Sequence, residues 1–180
     1  SRYSDKINAD NWHDILMKDD VAFGRANPDA DPCGYRSVLT MKLAEKHYNQ
    51  PGLAEKMLNK DTKNIRPKET DLLSLLEVGE IDYLFLYRSV AQQHELNYIE
   101  LTAEVNLKDS QLAEKYATVS VEISGKTPGS KVVKYGQPMV YGVTIPKNSP
   151  NPKAAIAFVQ FLLSKEKGLA IMQRNGQPGC

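Results

Sequence analysis

Apolar residues recur three and four positions apart in several segments of the chain, a spacing that predicts helices with one buried face. The clearest helix start is Asp31-Pro32, because an Asp side chain caps a helix and Pro suits the first helical position. Gly79 and the pair Asn175-Gly176 are typical helix ends. Helices are predicted in this way over residues 10–18, 33–48, 53–58, 89–94, 152–163 and 165–174, and over a Leu-rich segment that follows residues 66–70 and stops at Gly79.

Shorter apolar runs without helical spacing predict strands over residues 21–24, 81–87, 98–101, 118–123, 131–135 and 140–145. The run 81–87 is apolar apart from Asp82, which is typical of a central parallel strand that is covered on both faces. Gly and Pro residues between 118–123 and 131–135 predict a β-hairpin. Helices and strands alternate through the first hundred residues, so the pattern predicts an α/β sheet with crossover connections.

The composition is that of an ordinary globular chain, with 41% hydrophobic and 25% charged residues among 180. The 23 Lys and Arg residues nearly balance the 22 Asp and Glu residues, and the net charge of +1 gives no support to a nucleic-acid-binding or polybasic membrane surface. No apolar run is long enough to cross a bilayer. Two cysteines without a Cys-x-x-Cys motif exclude a disulfide framework and a zinc ribbon.

The segment around Asp31 is the most informative for chemistry. Asp31 follows a turn-rich loop and precedes a helix whose first N–H groups include those of Cys33 and Gly34, and helix N-termini bind oxyanions readily. Gly34 has no Cβ and would let a ligand approach the backbone closely. The alternative, which is the commoner case, is that Asp31 is only an N-cap. A reactive Cys33 thiolate would be stabilised here, but the sequence offers no oriented His partner for it.

Two further residues are weaker candidates on the sequence pattern alone. Glu69 precedes a second helix start, where an acidic residue is usually only favourable for the helix dipole. Tyr87 ends the predicted strand 81–87, and ligands of open α/β sheets bind outside such strand ends. Its phenol could donate a hydrogen bond to an oxyanion or be an ordinary aromatic residue. The three histidines are scattered, so we expect them to pack, cap or face solvent rather than bind a metal: His13, His47 and His94.

A set of short motifs, taken together, closely resembles one family across nearly the whole chain. The motifs are Asn-Trp-His-Asp-Ile-Leu at 11–16, Phe-Gly-Arg at 23–25, Asp-Pro-Cys-Gly-Tyr-Arg-Ser at 31–37, Arg-Pro-Lys-Glu at 66–69, Gly-Glu-Ile-Asp-Tyr at 79–83, Tyr-Arg-Ser-Val-Ala-Gln-Gln-His at 87–94, Tyr-Gly-Val-Thr-Ile-Pro-Lys-Asn at 141–148 and Gly-Gln-Pro at 176–178. The family that they resemble is the archaeal-type molybdate/tungstate-binding proteins of ABC importers.

The resemblance implies an α/β, type II periplasmic-binding-protein-like fold of two lobes that close on their ligand. It implies capture of molybdate or tungstate on the extracellular or periplasmic side, delivery to an ABC permease with its ATPase, and neither cofactor nor catalysis. The metal of the oxyanion would become six-coordinate by taking carboxylate oxygens of Asp31 and Glu69. Tyr87, Cys33 and Gly34 would supply hydrogen bonds to the oxyanion. The resemblance further implies a monomer that meets the membrane only through the permease or an N-terminal anchor, and no contact with nucleic acid.

Arginines that lie near these motifs are candidates for balancing the charge of the carboxylates: Arg36, Arg66 and Arg88. Mapped onto the family, residues 1–139 would form most of the second lobe, 140–146 a strand that returns through the hinge, and 147–180 helices that pack on the first lobe. The family carries a further half before Ser1, and its connection at residues 61–65 is usually longer, so we expect either a natural deletion or an omitted loop there. Cys180 has no explanation in the sequence.

Other functions remain open at this point. The same site could bind another oxyanion, such as sulfate or phosphate. Because a fold does not fix a function, Asp31 and Glu69 could also be an acid/base pair of an enzyme, or the chain could be a sensory domain that has lost transport. The lack of a nucleophile constellation and of a cofactor motif counts against an enzyme.

Overall fold

A computed structural model describes residues 1–177, so Pro178 and Cys180 lie outside the described residues. The chain divides into two compact units, one of residues 1–86 and 99–139, the other of residues 87–98 and the segment from 140 onward. The helices and strands, in chain order, are α1 Trp12–Leu16, β1 Phe23–Ala26, α2 Pro32–His47, α3 Leu53–Asn59, β2 Ile65–Arg66, α4 Leu73–Glu77, β3 Tyr83–Leu84, α5 Arg88–Gln93, α6 Ala103–Asn106, α7 Ala113–Tyr116, β4 Ser120–Ser124, β5 Lys131–Tyr135, α8 Pro152–Leu162 and α9 Gly168–Arg174.

The first unit is built on a parallel sheet of order β2-β1-β3, in which Arg25 lies opposite Ile65 and Phe23 opposite Tyr83. The predicted α/β class with parallel crossovers is therefore confirmed. The prediction that residues 81–87 form the central strand is wrong, because β1 is central and buried along its whole length. Only Tyr83–Leu84 of that run form a strand, at the edge of the sheet, and Phe85 extends the pairing by donating to the carbonyl of Gly24.

Two predicted strands are absent from the described residues. Segments 98–101 and 140–145 have apolar runs but form neither helix nor strand, because no neighbouring strand pairs with them there. The strand predicted at 21–24 is shifted to Phe23–Ala26, and strand β2 was not predicted at all. The hairpin is confirmed: β5 has the predicted bounds, and β4 pairs with it in antiparallel register from Ser120 opposite Tyr135 to Ser124 opposite Lys131.

The helices follow the sequence pattern closely where a cap fixes their ends. Helix α2 begins at Pro32 after the Asp31 cap, and α8 begins at Pro152 after Asn151, whose side chain accepts from the N–H of Ala154. Helix α1 is shorter than predicted and α9 starts later, at Gly168. The Leu-rich segment divides into a 3₁₀ turn, Glu69–Leu72, and α4. Helices α6 and α7 were not predicted.

The short join at residues 61–65 is a well-bonded structural element. Asp61 adopts a left-handed conformation, with φ 54°, and starts a 3₁₀ turn, Thr62–Asn64. Its carboxylate accepts from the N–H of Phe23 at 3.0 Å, while the buried amide of Asn64 donates to the carbonyl of the same residue at 3.3 Å. The turn therefore holds the amino end of β1 and leads directly into β2.

The hydrophobic core of the first unit lies along α2. Its largest fully buried side chains come from β1, α2, α3 and the segment that precedes the hairpin: Phe23, Leu39, Met41, Leu43, Met57, Leu107 and Tyr116. Helix α2 is sixteen residues long and begins at the carboxyl edge of the sheet. The core holds this helix in place, and its first turn faces the candidate site.

The second unit leaves much of its apolar surface uncovered. No residue of α8 is buried, although the helix is almost entirely apolar. Phe158 is 59% exposed, and Ile156 and Phe161 are also exposed. A helix that is apolar all round is normally covered by protein. Within residues 1–177, no helix combines the length and the apolar character that crossing a membrane requires.

Candidate functional site

Asp31 and Glu69 meet at the carboxyl edge of the parallel sheet. Asp31 follows β1 by five residues, and Glu69 follows β2 by three. Because β1 and β2 are parallel neighbours, the segments that leave them start from the same edge, which is where open α/β sheets bind their ligands. The structure thus brings together two sequence-predicted residues that lie 38 positions apart.

Hydrogen bonds fix the carboxylate of Asp31 on both of its oxygens. Oδ1 accepts from the N–H of Cys33 at 2.7 Å, as an N-cap does, and Oδ2 accepts from the N–H of Glu69 at 3.2 Å. Asp31 is only 8% exposed. It is therefore an N-cap and, at the same time, the residue that contacts Glu69, so the two readings of the sequence are not exclusive.

The side chains of Asp31 and Glu69 also hydrogen-bond to each other, which raises the pKa of Glu69, and burial raises it further. Burial acts to raise the pKa of Asp31, but hydrogen bonds from the Glu69 side chain and from the N–H groups of Cys33 and Glu69, with the charge of Lys68, bring it below the ordinary value. Two carboxyl groups in contact cannot both ionise easily. The pair therefore loses its last proton less readily than isolated carboxyl groups would, and Glu69 is the member whose pKa is raised.

Lys68 and Arg36 are the basic residues of the first unit whose charges act on groups of this site, and the role predicted for Arg88 stays a prediction. Lys68 precedes Glu69 and lowers the pKa of Asp31, a contribution that was not predicted although Lys68 lies in the Arg-Pro-Lys-Glu motif. Arg36 lies over the Tyr35 ring at 5.5 Å and acts to lower the pKa of Cys33. Arg66 donates to the carbonyls of Lys63 and Ile65.

The Cys33 side chain has the properties of a packed residue rather than of a nucleophile. Burial, followed by the nearby charges of Glu69 and Asp31, raises the pKa of its thiol to about 12. A protonated, buried thiol is a poor nucleophile. Its sulfur contacts the carbonyl of Phe85 at 3.7 Å, so it joins the first turn of α2 to the end of β3. Its backbone N–H donates to Asp31 in this structure, and its hydrogen bond to an oxyanion remains a prediction.

Gly34 is required by a close approach of the chain to itself. A Cβ at this position would lie 2.5 Å from the backbone carbon and oxygen of Asn27 and 2.7 Å from the carbonyl oxygen of Ala26. From the sequence, this glycine was expected to admit a ligand, whereas the structure gives a packing reason. Donation from its N–H to an oxyanion remains a prediction.

The mutation Gly34→Ala is expected to lower the free energy of unfolding by about 1–3 kcal/mol, because the colliding atoms belong to the backbone and cannot move without displacing β1 or α2. Thermal unfolding of the full-length protein measures this loss. Gly142→Ala is the control, since a Cβ at Gly142 would meet no atom within 4 Å. Equal melting temperatures of the two variants would contradict the packing argument.

The remaining candidates are Tyr87 and the three histidines. Tyr87 is the residue that precedes α5, in the second unit, and its proposed bond to the oxyanion remains a prediction. His13 is buried and its ring packs against that of Tyr48 at 4.0 Å between centroids, and His47 contacts Tyr48 as well. His94 is exposed after α5. In residues 1–177 no three His, Cys, Asp or Glu side chains are grouped so that they could hold a metal cation.

The loop between β1 and α2 contributes residues whose role the sequence did not reveal. Asn27 accepts from the N–H of Asp29 through its side chain at 2.9 Å, and Asp29 accepts in turn from the N–H of Ser124 in the hairpin at 2.6 Å. An Asn followed two residues later by a bonded N–H forms an Asx turn, so the Asn-Pro-Asp sequence was the available signal. The contact between Asp29 and Ser124 joins residues 95 positions apart, and no local sequence pattern predicts it.

Known proteins that resemble this chain are named as solute-binding or oxyanion-binding proteins. An uncharacterized solute-binding protein of Petrotoga mobilis is 53% identical over 179 residues, which cover 99% of this chain and 56% of that protein. Molybdate/tungstate-binding proteins WtpA of Pyrococcus abyssi and Thermococcus kodakarensis are 45% and 43% identical, over 98% of this chain and 56% and 55% of their own lengths. The chain thus spans little more than half the length of these curated relatives.

The lengths of these alignments differ between the relatives. The alignment with the Pyrococcus protein spans 201 positions, more than the 180 residues of the chain, so that relative carries inserted residues. The alignment with the Petrotoga protein spans 179 positions and leaves no room for an insertion of that size. A family described as bacterial extracellular solute-binding protein matches residues 2–177. This chain belongs to that family of extracellular solute-binding proteins.

Proposed function

We propose that this chain is the part of a solute-binding protein that captures molybdate or tungstate and hands it to an ABC permease with its ATPase. The observation that carries the proposal is the contact between Asp31 and Glu69 at the carboxyl edge of the sheet. Two relatives that are 45% and 43% identical are named for binding molybdate and tungstate, and this supports the choice of ligand.

The chemistry of these oxyanions explains why a binding site would contain carboxylates. A carboxylate repels a dianion such as sulfate through space. Molybdenum and tungsten in their highest oxidation state are large, hard centres that accept further oxygen ligands, so bonds to Asp31 and Glu69 can outweigh this repulsion. The small sulfur of sulfate does not expand its shell easily. The same two side chains would therefore bind molybdate and reject sulfate.

Other groups at this edge would offset the remaining charge. Helix α2, with sixteen residues, directs its positive N-terminal end toward the site. Lys68 adds a full positive charge, which already acts on Asp31. In the proposal, N–H groups at Cys33 and Gly34 and the phenol of Tyr87 donate to the oxo groups, while the metal takes the two carboxylate oxygens.

The proposed protein is a two-lobed, type II binding protein. In this proposal residues 1–139 form most of one lobe, residues 140–146 return through the hinge, and residues 147–180 pack on the other lobe. The exposed apolar surface of α8 supports this arrangement, because such a helix needs a protein surface to cover it. The curated relatives have enough additional length for another lobe. The protein would act as a monomer outside the cell, tethered by an anchor or free, and would meet the membrane at its permease.

Isothermal titration of molybdate, tungstate, sulfate and phosphate into the full-length protein tests the proposal. Molybdate and tungstate are expected to bind and to compete for one site, whereas sulfate and phosphate should give no heat, because they cannot use the carboxylates as ligands. The titration also ranks the two metals. Binding of sulfate or phosphate as strong as that of molybdate would contradict the proposal, and so would the absence of heat with every oxyanion in a protein that is folded.

A further inference from the structure

The loop between β1 and α2 is organised by a single residue, Asn27. Its side-chain oxygen accepts from the N–H of Asp29 at 2.9 Å, and its carbonyl accepts from the N–H groups of Ala30 at 3.1 Å and Asp31 at 3.0 Å. The side-chain bond closes an Asx turn, and the carbonyl bonds close the turn that leads into α2. Asn27 thus holds the backbone of Asp31 directly.

Asn27 also holds the segment that carries Glu69. Its N–H donates to the carbonyl of Arg66, the last residue of β2, at 2.7 Å. Glu69 follows three residues later, and its own N–H returns to Asp31 Oδ2 at 3.2 Å. These bonds form a closed ring through Asn27, Arg66, Glu69 and Asp31. Asn27 contributes its backbone N–H and carbonyl to this ring, and its side chain, bonded to the N–H of Asp29, fixes the turn beside it.

The packing around Asn27 leaves this ring little freedom. The first turn of α2 lies against the carbonyl of Asn27 so closely that only glycine fits at position 34. On the outer side, Asp29 accepts from the N–H of Ser124 at 2.6 Å, which ties the turn to the hairpin. The bond between Asn27 and Asp29 connects these two restraints, and no other side chain in the turn accepts from the N–H of Asp29 among the described residues.

We propose that Asn27 is the positioning residue of the two-carboxylate site, and that its Asx turn sets Asp31 and Glu69 at the separation that a six-coordinate oxyanion needs. This inference rests on the proposed function. Asn27 itself need not contact the anion. Without its side chain the turn relaxes and Asp31 shifts relative to Glu69, so that the metal of the anion loses one or both carboxylate bonds.

The test measures molybdate affinity and metal coordination in the full-length Asn27→Ala protein. Residues that orient a metal ligand typically contribute about 10- to 100-fold to affinity, and a loss of this size is expected. X-ray absorption at the molybdenum K-edge reads the coordination directly, because the pre-edge feature is strong for a tetrahedral oxyanion and weak for a six-coordinate one. The bound anion in Asn27→Ala is expected to become more tetrahedral than in the wild type.

The chain offers a matched control in Asn106. Its side-chain oxygen accepts from the N–H of Lys108 at 2.9 Å, which is the same Asx turn at the same distance. Asn106 is the last residue of α6, which lies near the carboxyl end of α2 rather than near the candidate site. In the same helix, the charge of His47, the last residue of α2, acts to lower the pKa of Glu104. Asn106→Ala is expected to keep the affinity and the coordination of the wild type. An equal loss in both variants would overturn the positioning role, since it would reflect general stability.

A second pair of variants isolates the hydrogen bond and does not depend on the folding of Asn27→Ala. Serine accepts the same N–H in an ST turn, while cysteine has nearly the same shape but a weak acceptor. Asn27→Ser is expected to retain most of the affinity and Asn27→Cys to lose it. If all three Asn27 variants bound molybdate as tightly as the wild type, with a six-coordinate metal, the positioning role would be overturned while the proposed function would stand. A wild-type protein that binds no molybdate would overturn the proposed function and, with it, the inference.

Discussion

Asp31→Ala and Glu69→Ala are each expected to weaken molybdate binding by more than about 100-fold, beyond the usual effect of residues that only orient a metal ligand. Each mutation removes one of the two oxygen ligands that the proposed six-coordinate metal takes from the protein. It also leaves the remaining carboxylate without its hydrogen-bonded partner. Calorimetric titration of the full-length variants measures the loss.

The variants need controls because Asp31 also caps α2. Asp109 caps a 3₁₀ turn in the same way, and its Oδ1 accepts from the N–H of Gln111 at 2.8 Å. Asp109→Ala therefore removes an equivalent cap, which typically contributes about 0.5–2 kcal/mol to stability, without touching the site. Glu77→Gln is the control for the Glu69 variant, because Glu77 is exposed at the end of α4. Molybdate affinity that is normal in Asp31→Ala or in Glu69→Ala would refute the ligand role of that residue.

Local signals in the sequence predicted those elements whose ends are set by neighbouring residues. Asp31-Pro32 predicted the start of α2 correctly because the cap and the proline act within one turn. The strands were harder, since an apolar run becomes a strand only where another strand pairs with it. Residues 140–145 have such a run but no partner strand within residues 1–177, whereas Ile65–Arg66 form a strand of two residues because β1 lies beside them.

The candidate site shows the same division between local and distant information. The cap role of Asp31 is local and could be predicted from residues 31–34. Its contact with Glu69 depends on the order β2-β1-β3, which no local pattern encodes, and it was expected only from the family resemblance. The raised pKa of the Cys33 thiol depends chiefly on its burial in the fold, whereas the sequence showed only that no oriented His partner accompanies it.

Molybdate affinity is expected to fall as the pH is lowered, by about tenfold per pH unit below the pKa of Glu69. Its hydrogen bond to Asp31, followed by burial, raises the pKa of Glu69 above the ordinary value of 4.5. The protein without the anion therefore keeps a proton on Glu69 to a higher pH than an ordinary glutamate would. A metal ligand must be deprotonated, so the anion has to displace this proton when it binds.

The sign of the effect follows from these two states. Above the raised pKa of Glu69 both carboxylates are already ionised, no proton is released, and the affinity is constant. Below it each binding event releases one proton, so acid competes with the anion. Titrations in buffers with different heats of ionisation count the protons, over a range in which molybdate itself remains a dianion. In Glu69→Gln no proton is available at position 69, and any residual binding should not change with pH in this range. Affinity of the wild type that is independent of pH, with no proton released, would show that Glu69 does not ligate the metal through its carboxylate.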